Sequence, residues 1–321
     1  MATVAPWRWV RCLIVTVGGG LATIAIFNLY AQRRQAPLPS RLEGEVHSYR
    51  WRGHTIAYTI RGEGVPLLLV HSVNGTASSF ELRKQWSGLV EGRRLYALDL
   101  LGFGGSDRPD VAYSAQLFTD LITDFVHDVV GQPTAVLASS LSSSFVVAAA
   151  AREPHLFTQL LLIEPTGIVA LAKPQGRAGR VTQQVIRSPL VGACLFNLLV
   201  SRPSIRFFLA NQSYHDPAGA TSQVLKQSYY SGHQPSARFA PAAFLSGALN
   251  SNVRQQFAEL PQPVLIAWGQ YAKPTPVAQA KTWIKLKPQA KLVIFEASGM
   301  LPHDEESEAF NRIANQFFDH I

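Results

Sequence analysis

Two cysteines in 321 residues, Cys12 and Cys194, cannot assemble a thiolate zinc cluster. With Cys12 inside an apolar run, no intrachain disulfide is expected either. Charge is sparse: 16% of residues are Asp, Glu, Lys or Arg against 47% hydrophobic, which excludes general disorder. Acids are the scarcer sign, 21 against 29 Lys and Arg, leaving a net charge of +8. The positive residues are scattered and form no basic stripe, so no nucleic-acid partner is expected. Internal repeats and long low-complexity tracts are also lacking.

What the chain does have is one long uncharged stretch, Cys12 to Tyr30. About 19 helical residues rise roughly 28 Å, close to the hydrocarbon thickness of a bilayer. Residues 1–31 are therefore expected to be an N-terminal single-pass membrane anchor, with Trp7 and Trp9 at the interface. Arg8 and Arg11 precede the run and Arg33 and Arg34 follow it, so positive charge is balanced and assigns no orientation. A cleaved secretory signal would carry a shorter apolar core and a small-x-small cleavage site, and no convincing site follows this run. Residues 32–44, containing Pro37, Pro39 and Ser40, read as a polar linker.

Residues 45–321 read as one folded domain. Tyr49, Trp51, Ile56, Tyr58 and Ile60 alternate around Arg52-Gly53-His54, the pattern of a hairpin. Apolar runs then recur at 66–70, 95–98, 135–138, 160–163, 264–267 and 292–295. Such runs suit strands buried on both faces of a parallel sheet. Helix-length segments at about 79–90, 114–130 and 141–152 alternate with them, predicting an α/β architecture with a mostly parallel, doubly wound sheet. From about 167 to 259 the rhythm breaks, and this stretch is expected to be an inserted, mainly helical cap.

In an open parallel sheet the chemistry lies beyond the carboxyl ends of the strands. The run 135–138 leads into Ser139-Ser140-Leu141-Ser142-Ser143 and an Ala/Val-rich segment. A nucleophile elbow needs small residues two before and two after the nucleophile, because the strand-to-helix turn is tight. Ala138-x-Ser140-x-Ser142 meets that size rule and makes Ser140 the candidate nucleophile. Leu141 N–H, at the positive end of the following helix, is the first candidate oxyanion donor. The competing explanation is a helix N-cap, since five of the six residues from Ser139 to Ser144 are serine.

Several fragments together resemble the α/β-hydrolase superfamily over roughly residues 46–321. His71-Ser72-Val73 is similar to the oxyanion turn after the third strand of that superfamily. Asp99-Leu-Leu-Gly102-Phe103-Gly104-Gly105-Ser106-Asp107-Arg108-Pro109 is similar to its loop after the fourth. The resemblance implies Val73 N–H as second oxyanion donor, with Ser72 replacing the usual glycine, and Asp99 as a loop organiser. It also implies hydrolysis of an ester, thioester or carbon–carbon bond with no metal and no organic cofactor.

Two departures bear on the triad. The loop where the superfamily usually carries its acid, Trp268-Gly269-Gln270-Tyr271-Ala272-Lys273, has no carboxylate. Glu164, after the run 160–163, takes that role in some members and preserves the chain order Ser, acid, His, with Glu296 as an alternative. At the usual Gly-His the chain reads Ser298-Gly299-Met300-Leu301-Pro302-His303, so Met300 fills the histidine position. His303, three residues on, is the candidate base, with His71, His215 and His233 as substitutes. The expectation is a membrane-anchored serine hydrolase acting on a small lipophilic carboxylic ester through an acyl-enzyme, with Ser140, His303, Glu164, Val73 and Leu141 as its site. The segments 195–200 and 205–209 are candidates to line an apolar acyl pocket. The rival is a catalytically silent scaffold of the same fold that binds a lipid or a protein partner. Oligomeric state does not follow from the sequence.

Overall fold

Six uninterrupted apolar runs call for cover on both faces, and the computed structural model packs helices on either side of one sheet; five runs are buried, while 292–295 lies on the edge strand, where Ile294 is 42% exposed. The structure describes Gly20, residues 22–31, 37–38 and 42–319. The strands are β1 (Glu45–Trp51), β2 (His54–Arg61), β3 (Val65–Val70), β4 (Arg93–Leu98), β5 (Thr134–Ser139), β6 (Phe157–Ile163), β7 (Val264–Gly269) and β8 (Lys291–Phe295). Their order is β1-β2-β4-β3-β5-β6-β7-β8. The alternating N-terminal pair forms the expected antiparallel hairpin, with Trp51 opposite His54. β2 joins β4 antiparallel, and all later pairs are parallel. Leu67, Leu68, Leu69 and Val70 are fully buried, as a central strand with two covered faces requires.

The helices are α1 (Ala22–Ala31), α2 (Arg83–Gly88), α3 (Ala115–Phe125), α4 (Ser142–Arg152), α5 (Arg177–Arg187), α6 (Val191–Leu199), α7 (Arg202–Phe208), α8 (Ser222–Gly232), α9 (Phe239–Leu245), α10 (Arg254–Glu259), α11 (Ala280–Leu286), α12 (Pro302–Glu305) and α13 (Ser307–Phe318). One face of the sheet packs on α3, α4, α10 and α11, where Phe118, Phe125, Phe145, Phe257 and Trp283 fill the larger core. The other face packs on α2 and α13 through Trp86, Phe310 and Phe317. Helices α5–α9 form the cap, with its own small core of Phe196, Val200, Ile205, Tyr229 and Ala237. The insertion closes earlier than residue 259, because α10 packs on α4 and buries Phe257 in the main core.

The expected membrane-spanning helix across Cys12–Tyr30 is not found among the described residues. There no single helix is long and apolar enough to cross a bilayer. α1, ten residues long, covers only about 15 Å, and most of the apolar run preceding it lies outside the described residues. Asn28 on α1 ties this segment to the cap, donating from Nδ2 to Leu190 O at 2.9 Å and accepting from Asn197 Nδ2 at 3.1 Å.

The loop after β4 is built on Asp99. Its Oδ1 accepts from Ser79 N at 2.7 Å, its Oδ2 from Gly105 N at 2.8 Å, and its backbone oxygen from Ser106 Oγ at 2.5 Å. Gly104 sits at φ +51°, and a Cβ there would lie 2.0 Å from the Asp99 carboxyl carbon. Gly104→Ala therefore combines a left-handed backbone with a collision. It should cost roughly 2–4 kcal/mol of unfolding free energy, measured by urea denaturation.

Candidate active site

β5 ends at Ser139 and α4 begins at Ser142, leaving Ser140 and Leu141 to reverse the chain. Ser140 takes φ +52°, a conformation that L residues hold only when their surroundings enforce it. Its N–H donates to Ile163 O at 2.8 Å, which ties the turn to the end of β6. The neighbouring serines spend their hydroxyls on backbone carbonyls: Ser142 Oγ on His71 O at 2.6 Å, Ser143 Oγ on Ala138 O at 3.2 Å and Ser144 Oγ on Leu141 O at 2.8 Å. Serine can thus stand where glycine is usual, because each hydroxyl finds an acceptor inside the packed turn. The helix-capping explanation fails, since the N-cap position of α4 is Leu141 and no side chain caps it.

Beside the elbow, the turn after β3 holds Val73, whose N–H donates to no protein group among the described residues; the same is true of Leu141 N–H. These are the two donors expected for an oxyanion. Ser72 reshapes the turn: its N–H and Oγ both donate to Glu81 Oε2, the former at 3.2 Å. Glu81 is carried by the short 3-10 turn Ser79–Leu82, and the sequence reading missed it. The one available signal was that Glu81 is the single carboxylate in residues 71–90.

The sequence-derived triad is not assembled, and its acid is the first correction. Glu164 follows β6 at φ +46° and is 1% exposed. Its Oε1 accepts from Gly269 N at 2.7 Å and its Oε2 from Thr275 Oγ1 at 2.7 Å, so it fastens the loop after β7 and meets no histidine. Burial drives its pKa well above the ordinary carboxylate range, outweighing both hydrogen bonds. The alternative, Glu296, is exposed.

The expected base keeps its place at the cavity but lacks the expected hydrogen bonds. His303 is fully buried on α12, and neither ring nitrogen has a protein hydrogen-bond partner, so no bond joins it to Ser140 or Glu164. Its nearest carboxylate is Glu81, with Nε2 3.8 Å from Oε1, beyond hydrogen-bond distance. Burial lowers its pKa below the ordinary histidine value, against the opposing pull of Glu81 and Asp304. The next residue, Asp304, is clamped by Arg83 Nη2 at 2.7 Å, Lys84 Nζ at 3.0 Å and Tyr214 Oη at 2.5 Å. The substitutes are placed elsewhere. His71 accepts Leu100 N–H at Nε2 and meets Ser72 O at Nδ1, which occupies both nitrogens. His215 is exposed and stacks on Tyr271, and His233 is buried in the cap against Tyr229.

Ser140, Val73, Glu81, Met300 and His303 all face one cavity of about 360 Å³ between core and cap. Six residues of the two expected acyl-pocket segments line it: Leu199, Val200, Ile205, Phe207, Phe208 and Leu209. The turn that carries Met300 is held by the cap, because Met300 N donates to Ser213 O at 2.7 Å. Glu305 Oε2 accepts from Gly299 N at 2.7 Å and its Oε1 from His215 N at 2.7 Å. Among the described residues no group of three His, Cys, Asp or Glu is placed to hold a metal ion.

A serine on a strained strand-to-helix turn, next to free backbone N–H groups and under a helical cap, defines the scaffold of a nucleophilic hydrolase. The chain belongs to the alpha/beta hydrolase family, whose model matches residues 67–313. Among curated relatives it is 22% identical to 2-(acetamidomethylene)succinate hydrolase of Mesorhizobium japonicum, covering 81% of this chain and 90% of the relative. It is 25% identical to Lipase 1 of Psychrobacter immobilis, covering 78% and 76%. Among solved structures, a meta-cleavage product hydrolase superposes with a TM-score of 0.70 at 21% identity, over 87% of this chain and 98% of that one.

The raised pKa of Glu164 gives a test that separates it from a histidine-orienting carboxylate. A carboxyl whose folded pKa lies above its unfolded value, about 4.3, binds more protons folded than unfolded. Its contribution is complete below the unfolded pKa and is lost as pH rises through the folded one. Urea midpoints of the parent should therefore carry a component that falls as pH rises above about 4.3. Glu164→Gln, which mimics the neutral acid, should remove that part of the fall.

Proposed function

We propose that the chain is a membrane-anchored serine hydrolase that cleaves a small lipophilic carboxylic ester, with Ser140 as nucleophile and His303 as base. One observation carries this reading. Ser140 sits at φ +52° on an elbow that opens into the same cavity as a fully buried histidine with both ring nitrogens unpaired. Because burial lowers the pKa of His303, the ring is neutral at pH 7 and able to take a proton. In the reaction, Ser140 Oγ adds to the ester carbonyl and its proton passes to His303, by ring rotation or through one water. Val73 and Leu141 N–H receive the oxyanion. Collapse of the adduct expels the alcohol with the proton from His303, and water then releases the acid from Ser140 by the same steps. Glu81, 3.8 Å from the ring, offsets the imidazolium charge while it exists. The apolar walls favour an acyl chain over a charged substrate, and the uncharged run Cys12–Tyr30 supports an anchor near such substrates.

A second reading is favoured by Met300, which fills the family's histidine position and faces the cavity. On that reading the protein binds an acyl ligand or a partner without turnover. A fluorophosphonate probe on the full chain distinguishes the two. The hydrolase labels at Ser140, Ser140→Ala abolishes labelling, and His303→Gln slows it about 10²–10⁴-fold. If the folded parent fails to label but Met300→His labels, the elbow is sound and the natural chain lacks a base.

A further inference from the structure

We propose that the cavity rim formed by α6 and α7 docks flat on an anionic lipid surface, so that the cavity opens against the bilayer. The inference goes beyond the chemistry at Ser140 and holds whether or not that serine turns over.

Three independent features converge on this rim. The first is exposed apolar area: Leu195, Leu198 and Leu199 on α6 and Phe207 and Phe208 on α7 face outward, with Phe207 64% and Leu198 52% exposed. Leu199, Phe207 and Phe208 also line the cavity, so the apolar surface is its mouth. An exposed apolar cluster of this kind on a folded domain marks a surface for another apolar phase.

The second feature is charge. Residues 167–259 hold nine lysines and arginines against two carboxylates, seven of the chain's eight net positive charges. Arg202 and Arg206 lie on α7 itself, exposed and without an ion pair among the described residues. Arginines beside outward phenylalanines and leucines make the two-part surface that anionic headgroups and acyl chains recognise together. A second copy of this chain docked through the same rim would bring Arg202 and Arg206 against their own copies, which favours the anionic bilayer over self-association.

The third feature is continuity with the N-terminal segment. α1 reaches the cap at the start of α6 through Asn28, and its own Ile26 and Leu29 are 67% and 57% exposed. Whatever apolar phase receives α1 is therefore at hand for α6. The α6–α7 pair is apolar enough over its combined length to enter a bilayer, but it bends by 52° at residues 200–201 and carries arginines on the second arm, a geometry suited to lying in the interface.

The test uses the full chain with Cys12→Ser and Cys194→Ser, reconstituted into phosphatidylcholine vesicles with or without phosphatidylglycerol. An environment-sensitive nitrobenzoxadiazole label is placed at Leu198→Cys, which does not line the cavity. A control label is placed at Glu91→Cys, at the amino ends of the strands. Docking predicts a blue-shifted, brighter signal at 198 in the anionic vesicles and none at 91. Arg202→Gln with Arg206→Gln should lower the docking equilibrium about 30-fold. A signal at 198 that ignores phosphatidylglycerol but rises with protein density on the vesicle would identify a second copy as the occupant and overturn the proposal. An unchanged signal at 198 in both vesicle types would also overturn it.

Discussion

The strand-to-helix turn at Ser140 is the constraint on which the rest of the site depends. A non-glycine residue at φ +52° costs on the order of 1–3 kcal/mol, and it persists because its neighbours over-determine it. The bond from Ser140 N to Ile163 O fastens the turn to β6, and the bond from Ser142 Oγ to His71 O fastens it to β3. These are the two strands that flank β5 in the sheet. Sheet order therefore brings the turn after β3 and Glu164 to opposite sides of Ser140, and the small residues at 138 and 142 leave room for that convergence.

What the sequence makes legible is what short-range physics dictates. A run such as 66–70 has too much apolar surface for a strand with one wet face, so a central position follows from composition alone. The hairpin at Arg52–Gly53 and the Asp99 loop are equally local, since their hydrogen bonds close within the hairpin or on nearby turns. Ser140 belongs to this group because small residues spaced around one nucleophile encode the tight turn directly. The cap reads as helical from its lack of strand pattern, yet its end is blurred: α10 follows without a break in composition and is assigned to the core only by Phe257 packing beside Trp283.

The acid and the base are illegible for a different reason: their roles depend on directions that sequence spacing does not encode. A glutamate after a central strand can reach the histidine position or the loop of the next strand. The left-handed backbone of Glu164 sends it to Gly269 and Thr275. His303 would have to be carried toward Ser140 by a displaced turn, but Ser213 O of the cap holds Met300 N, and Glu305 on α12 joins Gly299 N to His215 N of the cap, tying the turn to a segment more than 80 residues away. Glu81 is near the site only because a 3-10 turn rotates it under Ser72.

This arrangement alters the electrostatics of proton transfer. In the usual triad a hydrogen-bonded carboxylate stabilises the imidazolium as it forms. Here Glu164, its pKa raised by burial, is spent on a loop, while Asp304 is spent on Arg83, Lys84 and Tyr214. Glu81 is the nearest carboxylate left to face His303, with Asp304 a weaker second pull. At 3.8 Å its attraction for an imidazolium is on the order of 4 kcal/mol at an effective dielectric of 20. That is comparable to the several kcal/mol needed to bury the charge, and Arg83 and Lys84 oppose it further. The lowered pKa of His303 reflects that balance, which favours the neutral ring. On the proposed assignment of His303 as base, such a ring suits a step in which the proton is passed on at once to the leaving group.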